Sequence, residues 1–516
     1  MLPGLITWSV LALPFVFSIF SPRLTILFIL GYMLLWFAKA VGLDLRALQG
    51  FRLLQQYQKL PWLQMFDDLK NGQVRIYEQQ IPKWHIENIN RVLANPTPIK
   101  AEDIIHAVII ASYNESREIL EPTVQSVLAS DFPMDKVILV FAYEGRDGAQ
   151  SEAAVIELME KYKGKFKHVF AAKHPLTEGE VRGKGGNITY AGRKLKQYLE
   201  KEGIKPLNVV VTTLDSDNRP HKKYLAAAAY LYAVTPDPVR VSLQPIPMFT
   251  NNIWDAPAPM RVIATGNSFW MVVQGLRTHM LRNFSAHAQN MQTLIDTDFW
   301  STRTIVEDGH QFWRTYFRYD GHHQVYPIFL PIYQDAVLST TLLRTLRAQF
   351  IQIRRWAWGA SDVAYVAEMG FFRKDSKASK LDATFKFFRL LEGHISWATA
   401  PLILAFSAFI PALFNHKDYA ANQLPIIASR VQTIALIGIF VTLFFSLKTL
   451  PPKPARYKKH RTVFMILQWV YLPVTTITYS AFSAIYSQTR LMFGRYLDKF
   501  DVTDKAFVTE DKQKHL

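Results

Sequence analysis

The stretch Ile104-Ile-His-Ala-Val-Ile-Ile-Ala111, followed at once by Ser112-Tyr113-Asn114-Glu115-Ser116, decides the fold class. The first part is short, apolar and rich in β-branched side chains, as expected of a strand buried on both faces. The polar residues after it lead into a helix-like pattern up to about residue 130. Similar runs at 137–142, 167–171 and 207–214 read as further strands, with helical patterns near 149–163 and 188–201 between them. This alternation predicts a mostly parallel sheet covered by helices on both faces, in which ligands bind outside the carboxyl ends of the strands. Residues that follow strands are therefore the first candidates for chemistry.

Outward from this domain the chain turns apolar. Residues 1–20 carry no charge and a second apolar run covers 24–38; each, with its flanks, can cross a hydrocarbon core of about 30 Å, which needs roughly 20 helical residues. A cleaved signal peptide is disfavoured, because there is no basic n-region and no A-x-A site, and a second run follows immediately. Only Arg23 separates the two runs, whereas Lys39, Arg46, Arg52 and Lys59 follow, so the positive-inside rule predicts a hairpin with the chain after Lys39 in the cytoplasm. Three more apolar runs cover 394–414, 424–447 and 462–486. The loop carrying Lys448, Lys453, Arg456, Lys458, Lys459 and Arg461 between the last two should also be cytoplasmic. Segments 44–70 and 380–392 mix Leu, Phe and Trp with Lys and Arg; they read as amphipathic helices on the membrane surface, or as solvated helices of the domain. Five spans from a cytoplasmic N-terminus would leave the tail outside. The last run, with Pro473, Thr475, Thr476, Thr478, Ser480 and Ser483, is polar enough to form a hairpin or re-entrant element instead. The chain thus divides into a transmembrane hairpin (1–43), an amphipathic linker (44–100), the α/β domain (101–360), interfacial helices (361–393), a C-terminal transmembrane region (394–490) and a tail (491–516).

Composition narrows the classes. With 516 residues, 49% of them apolar, the chain is neither a disordered polyelectrolyte nor a small disulfide scaffold. The absence of cysteine excludes disulfides, thiolate zinc sites, iron–sulfur clusters and cysteine nucleophiles. A mean hydropathy of +0.03 averages five apolar runs with a polar centre. The net charge of +17 does not point to nucleic acid, since no basic and aromatic nucleic-acid module is present; much of it lies in loops that should face anionic lipid.

Three motifs carry chemistry. Asp215-Ser216-Asp217 directly follows the fourth strand. Two carboxylates so spaced can share a divalent ion that clamps a diphosphate, although roughly one such triplet is expected by chance in a chain this long, and a helix cap or turn is the plain alternative. Glu307-Asp308 opens a helical pattern, where acids are favoured by the helix dipole and where a base for a sugar hydroxyl could also be held. Gln352-Ile353-Arg354-Arg355-Trp356 combines rare residues, with a chance expectation on the order of one in a hundred. Its indole suits a sugar ring and its guanidinium a diphosphate, while an interfacial anchor is the alternative.

In this order and spacing the motifs resemble those of the membrane-embedded processive family 2 glycosyltransferases, the cellulose, chitin and hyaluronan synthases, from about Ile104 to the C-terminus. The resemblance implies a Rossmann-like GT-A domain inserted between transmembrane helices with amphipathic interfacial helices, and a hexosyltransferase in the plasma membrane with its catalytic domain in the cytoplasm. It implies a UDP-sugar donor held through Mg²⁺ or Mn²⁺ by Asp215 and Asp217, and Asp308 as the general base beside Glu307, although Val306 stands where Thr or Ser is usual. Gln352, Arg355 and Trp356 would line the acceptor and diphosphate site. Ser112-Tyr113-Asn114-Glu115 fits the loop that contacts the base through Tyr113 and Glu115. Lys184-Gly185-Gly186-Asn187 fits a segment whose lysine meets phosphate or uracil, with a plain glycine loop before a helix as the alternative. After the second strand the family's Asp-rich turn is replaced by Tyr143-Glu144-Gly145-Arg146-Asp147, so that Glu144 would make the base contact. Phe500-Asp501-Val502-Thr503 resembles the F-x-V-T gating loop, giving Val502 and Thr503 to the nucleotide, and Gly266 and Asn267 loosely match an acceptor-side stretch.

The expected reaction is inverting transfer to a growing polysaccharide in a lipid bilayer. Single addition to a lipid-linked acceptor is the rival enzyme, and a non-catalytic nucleotide-sugar sensor or a transport protein the rival of another class.

Overall fold

The structure, a computed structural model, describes residues 1–77, 80–145, 149–175, 177–458 and 460–497. Its centre is one eight-stranded sheet: β1 (Ile105–Ser112), β2 (Val137–Glu144), β3 (His168–His174), β4 (Val209–Asp215), β5 (Arg219–Pro220), β6 (Val241–Met248), β7 (Ala288–Asn290) and β8 (Gln324–Tyr333), in the order β3-β2-β1-β4-β7-β6-β8-β5. The first four are the strands expected from the sequence, and they pair in parallel. The other half is mixed, with β7 antiparallel to β4 and β6, β8 parallel to β6, and β5 antiparallel to β8. The expectation of a mostly parallel sheet therefore holds for one half only.

Side-chain alternation explains why β1 is apolar throughout. Val108 and Ile110 point into a core with Leu120, Val124 and Val127 of helix Arg117–Leu128. Ala107, Ile109 and Ala111 point the other way, onto Ile188, Ala191 and Leu195 of helix Lys184–Lys201. The first core also takes in Trp62, Met65 and Phe66 of helix Trp62–Asn71 and the alanine- and tyrosine-rich helix Tyr224–Val234. Asp68, fully buried, accepts hydrogen bonds from Arg75 Nε (2.7 Å) and Tyr77 Oη (2.5 Å), and lies 3.3 Å from His85 Nε2. His85 Nδ1 in turn meets Tyr230 Oη at 2.9 Å. The apolar face of residues 62–71 is thus consumed by the domain core instead of being offered to a membrane surface.

Among the described residues, five helical elements are long and apolar enough to cross a membrane: Leu2–Phe20, Pro22–Lys59, Lys380–Phe414, Tyr419–Thr449 and His460–Met492. Pro22–Lys59 is unbroken over 38 residues, about 57 Å, so residues 44–59 continue this apolar helix and do not form a separate surface helix. This extension packs on the domain: Phe51 and Leu54 join Val272, Phe329 and Phe445, and a Cβ at Gly50 would lie 2.4 Å from Val272 Cγ1. Residues 380–392 likewise begin helix Lys380–Phe406. The last element does not turn back as a hairpin. It passes through 3₁₀ (Gln468–Tyr471) and π (Thr476–Ala481) stretches around Pro473, with right-handed helical dihedrals at every junction.

Candidate active site

The parallel half delivers its carboxyl ends to one cleft. Tyr113, Glu115, Glu144, Lys184, Asp215, Asp217, Glu307, Asp308, Gln352, Arg355 and Trp356 all line it, brought from separate segments of the chain. Gly266 and Asn267 do not; they sit inside helix Ala258–Gly275, which packs against the long helix Pro22–Lys59. Val502 and Thr503 lie outside the described residues, as do Arg146 and Asp147.

Beyond β1 the chain turns through Asn114 with φ +59°, a left-handed conformation that asparagine tolerates. Glu115 then folds back, accepting from the Tyr113 backbone N–H and, at 2.8 Å, from Ser216 Oγ, so it braces the loop against the D-x-D turn. Asn187 ties the ends of β1 and β2 by donating to Ser112 O (3.2 Å) and Ala142 O (3.0 Å). At the end of β2, Glu144 meets His174 Nδ1 at 3.4 Å, and His174 Nε2 meets Glu180 at 3.0 Å. Burial alone would push His174 down, but the two carboxylates outweigh it and hold the ring above its ordinary value.

Lys184-Gly185-Gly186-Asn187 is the first turn of a helix rather than a loop ahead of one. Each glycine has a steric reason. A Cβ at Gly185 would stand 2.3 Å from Ser301 O and 3.3 Å from Glu307 Cβ, and one at Gly186 2.9 Å from the His174 ring. The start of helix Lys184–Lys201 is thereby pressed against the start of helix Glu307–Arg318, so two positive dipole ends converge near the acids.

Lys184 is largely enclosed, its side chain 9% exposed, with Nζ 2.6 Å from Asp215 Oδ1 and donating to Ser285 O at 3.1 Å. Burial lowers its proton affinity, yet Asp215, Glu307 and Asp308 together hold it above the ordinary lysine value. Glu307 is pushed up to about 8, first by burial and then by the adjacent Asp308. Asp308 is also raised by burial, opposed by Lys184, by the Gly309 N–H that donates to Oδ1 at 2.7 Å, and by Arg355. Across the cleft, helix Leu342–Ala357 presents Gln352, Arg355 and Trp356, with Phe249 6.1 Å from the Trp356 ring. Its backbone is held from behind by the last apolar element, through Ser487 Oγ to Arg354 O at 2.8 Å.

Asp217 Oδ2 accepts from the Asp335 backbone N–H at 3.1 Å, and Asn251 holds the Asp217 carbonyl at 2.9 Å. The donor set suits a hard divalent cation, being two carboxylates in the cleft. Among the described residues no group of three His, Asp or Glu gathers, so a bound diphosphate and water would have to complete the shell. Asp335, Ser285, Gln334 and Phe249 also line the cleft and were not read from the sequence. Asp335 follows β8 as Asp215 ends β4, and that strand-end position was the available signal.

Among solved structures the chain is similar to the mannosyltransferase PcManGT from Pyrobaculum calidifontis in complex with GDP-Man and Mn²⁺ (15% identity, TM-score 0.41, covering 79% of this chain and 98% of that one). It is also similar to residues 1–349 of S. aureus TarS in complex with UDP-GlcNAc (14%, 0.38, 78% and 95%), and to GalNAc-T7 with UDP, GalNAc and Mn²⁺ (11%, 0.33, 57% and 58%). No protein-family model matches the chain, and no curated protein matches it.

Proposed function

We propose that the protein is a membrane-embedded, inverting family 2 glycosyltransferase of GT-A fold that transfers a sugar from a UDP-sugar to a growing polysaccharide at the cytoplasmic face. One observation supports this most: three motifs spread over the 142 residues from Asp215 to Trp356 line a single cleft, with an acidic pair facing a lysine-held D-x-D. The five apolar elements and the basic loops support the membrane and its orientation.

In this reading the two adjacent acids have different tasks. Asp308, whose anion is favoured by Lys184, the Gly309 N–H and Arg355, takes the acceptor hydroxyl's proton while the hydroxyl attacks the anomeric carbon, and Glu307 beside it is pushed toward its neutral form by burial. Lys184 and Arg355 neutralise charge growing on the departing diphosphate. Asp215 and Asp217 would hold Mg²⁺ or Mn²⁺, which when bound supplies further charge neutralisation at that diphosphate. Trp356 offers its face to the sugar.

Purified full-length protein in lipid vesicles with Mn²⁺ should release UDP from one member of a UDP-sugar panel and lengthen a labelled product over time. No UDP release from any donor would refute the transferase; a single fixed-size lipid product would refute the polymerising reaction.

A further inference from the structure

Where two long apolar helices meet the domain, three arginines and a histidine from three distant segments gather. Arg46 lies in helix Pro22–Lys59, Arg277 and His279 in the turn after helix Ala258–Gly275, and Arg389 in helix Lys380–Phe406. The turn is wedged between the two long helices: Leu276 lies 3.5 Å from the position of a Cβ on Gly50, and Leu281 packs with Phe387, Leu390 and Leu391. Arg46, His279 and Arg389 are exposed and Arg277 is half-buried. Among the described residues none of the four forms a salt bridge within 4.0 Å. The acid that reaches Arg277, Glu392, is itself held by Lys39 at 2.7 Å. Burial and then the Arg46 and Arg389 guanidinia push Arg277 below its ordinary value; burial, Arg389, Arg277 and Arg46 do the same to His279. The cluster repels itself, and an anion would relieve it.

We propose that this cluster is a binding site for the phosphate of an anionic membrane lipid. Depth and surroundings select a lipid over a soluble phosphate. The Lys39–Glu392 pair marks the level at which both helices leave their uncharged stretches, with Lys39 4.8 Å over the Trp36 ring. Arg389 is three residues nearer the domain and Arg46 seven, about 5 and 10 Å along the helices, which reaches the headgroup layer. Beside the cations, Val41, Leu45, Phe385 and Phe388 are exposed and provide an acyl-chain surface. The site rests on the membrane reading given above.

The test is full-length protein reconstituted in vesicles of phosphatidylcholine alone or mixed with phosphatidylglycerol, then extracted and weighed with its retained lipids by native mass spectrometry. Retention of phosphatidylglycerol over phosphatidylcholine is expected, falling roughly fivefold per cation removed in Arg46→Gln, Arg277→Gln and Arg389→Gln. The matching Lys variants should keep most of it, as should Lys136→Gln, Lys167→Gln and Lys205→Gln on a separate surface cavity. Equal retention of the two lipids, or unchanged preference in the folded triple Gln variant, would overturn the proposal. Displacement by glycerol 3-phosphate at the concentration of lipid phosphate would instead make it a soluble-phosphate site. Failure to insert into either vesicle would overturn the membrane reading itself.

Discussion

The two halves of the sheet solve different problems. The parallel half, β3-β2-β1-β4, is buried on both faces at β2, β1 and β4 and carries the proposed donor side: Glu144 ends β2, Asp215 ends β4, and Lys184 pairs with the latter. The mixed half, β7-β6-β8-β5, is built from shorter or irregular strands, with a register shift between Pro245 and Ile246 where β6 meets β8. It supplies the Asp335 N–H that orients Asp217, and it is flanked by the helix that carries Glu307 and Asp308. On one side an acid is paired with a lysine at 2.6 Å; on the other, two neighbouring acids are pushed toward their neutral forms by burial. In the proposed reaction the lysine-held carboxylates would serve phosphate binding, and the facing acid pair of raised proton affinity would serve proton transfer.

The strongest way to break this contrast is Asp308→Asn. If the mixed half supplies only the base, transfer should fall by about 10²–10⁴ while UDP binding to the donor half is nearly unchanged. Steady-state rates with calorimetric UDP titration check both; loss of UDP binding together with rate would place Asp308 in the clamp.

Next in size is Gly185→Ala, which strikes the seam between the halves. The new methyl would meet Ser301 O, a backbone atom that cannot swing aside. A cost of about 1–3 kcal/mol is expected, together with displacement of Glu307 and reduced transfer. Thermal unfolding reads the first effect and turnover the second; an unchanged midpoint would mean that the two helix starts are not in contact.

How much of this was legible follows the same division. Ile104 to Ala111 and the run before Asp215 betrayed their strands because a sheet buried on both faces needs uninterrupted β-branched residues. β6 and β8 each carry two prolines, Pro245 with Pro247 and Pro327 with Pro331, which argue against a strand when pairing partners are unknown. Asp335 was missed with its strand. The Q-x-x-R-W positions stood out because they combine rare residues and the acidic pair only through the family resemblance, whereas Gly266 and Asn267 were a loose match that the fold sets inside a packed helix. The reach of helix Pro22–Lys59 into the domain was hidden by charge: Asp44 and Arg46 look like the end of a span, but the face they interrupt is buried protein at Ala47, Phe51 and Leu54.

Glu307→Gln sharpens the comparison with a smaller effect. Because burial and Asp308 push Glu307 toward its neutral form, an uncharged glutamine imitates its working form, and turnover near pH 7 should change by less than about tenfold, against the far larger loss at Asp308. The stability signature has a defined sign. The folded protein keeps a proton on Glu307 that the unfolded chain releases from its ordinary value of 4.5, so this group's contribution is fully present below pH 4.5 and is lost as pH rises through about 8. The glutamine variant lacks that loss, so its melting temperature should exceed the native one increasingly between those limits. Parallel melting curves across the window would show that Glu307 is instead ionised and belongs with the charged clamp.

The smallest effect is expected at Gly266, and it tests whether function extends onto helix Ala258–Gly275. Nothing lies within 4 Å of a Cβ built there, and the position is helical. Alanine should therefore stabilise the protein by up to about 1 kcal/mol through helix propensity alone, with turnover and acceptor dependence unchanged. A raised acceptor KM with kcat preserved would bring this helix into the acceptor path, and the functional surface would then reach past the cleft toward the long helix that Gly50 packs against it.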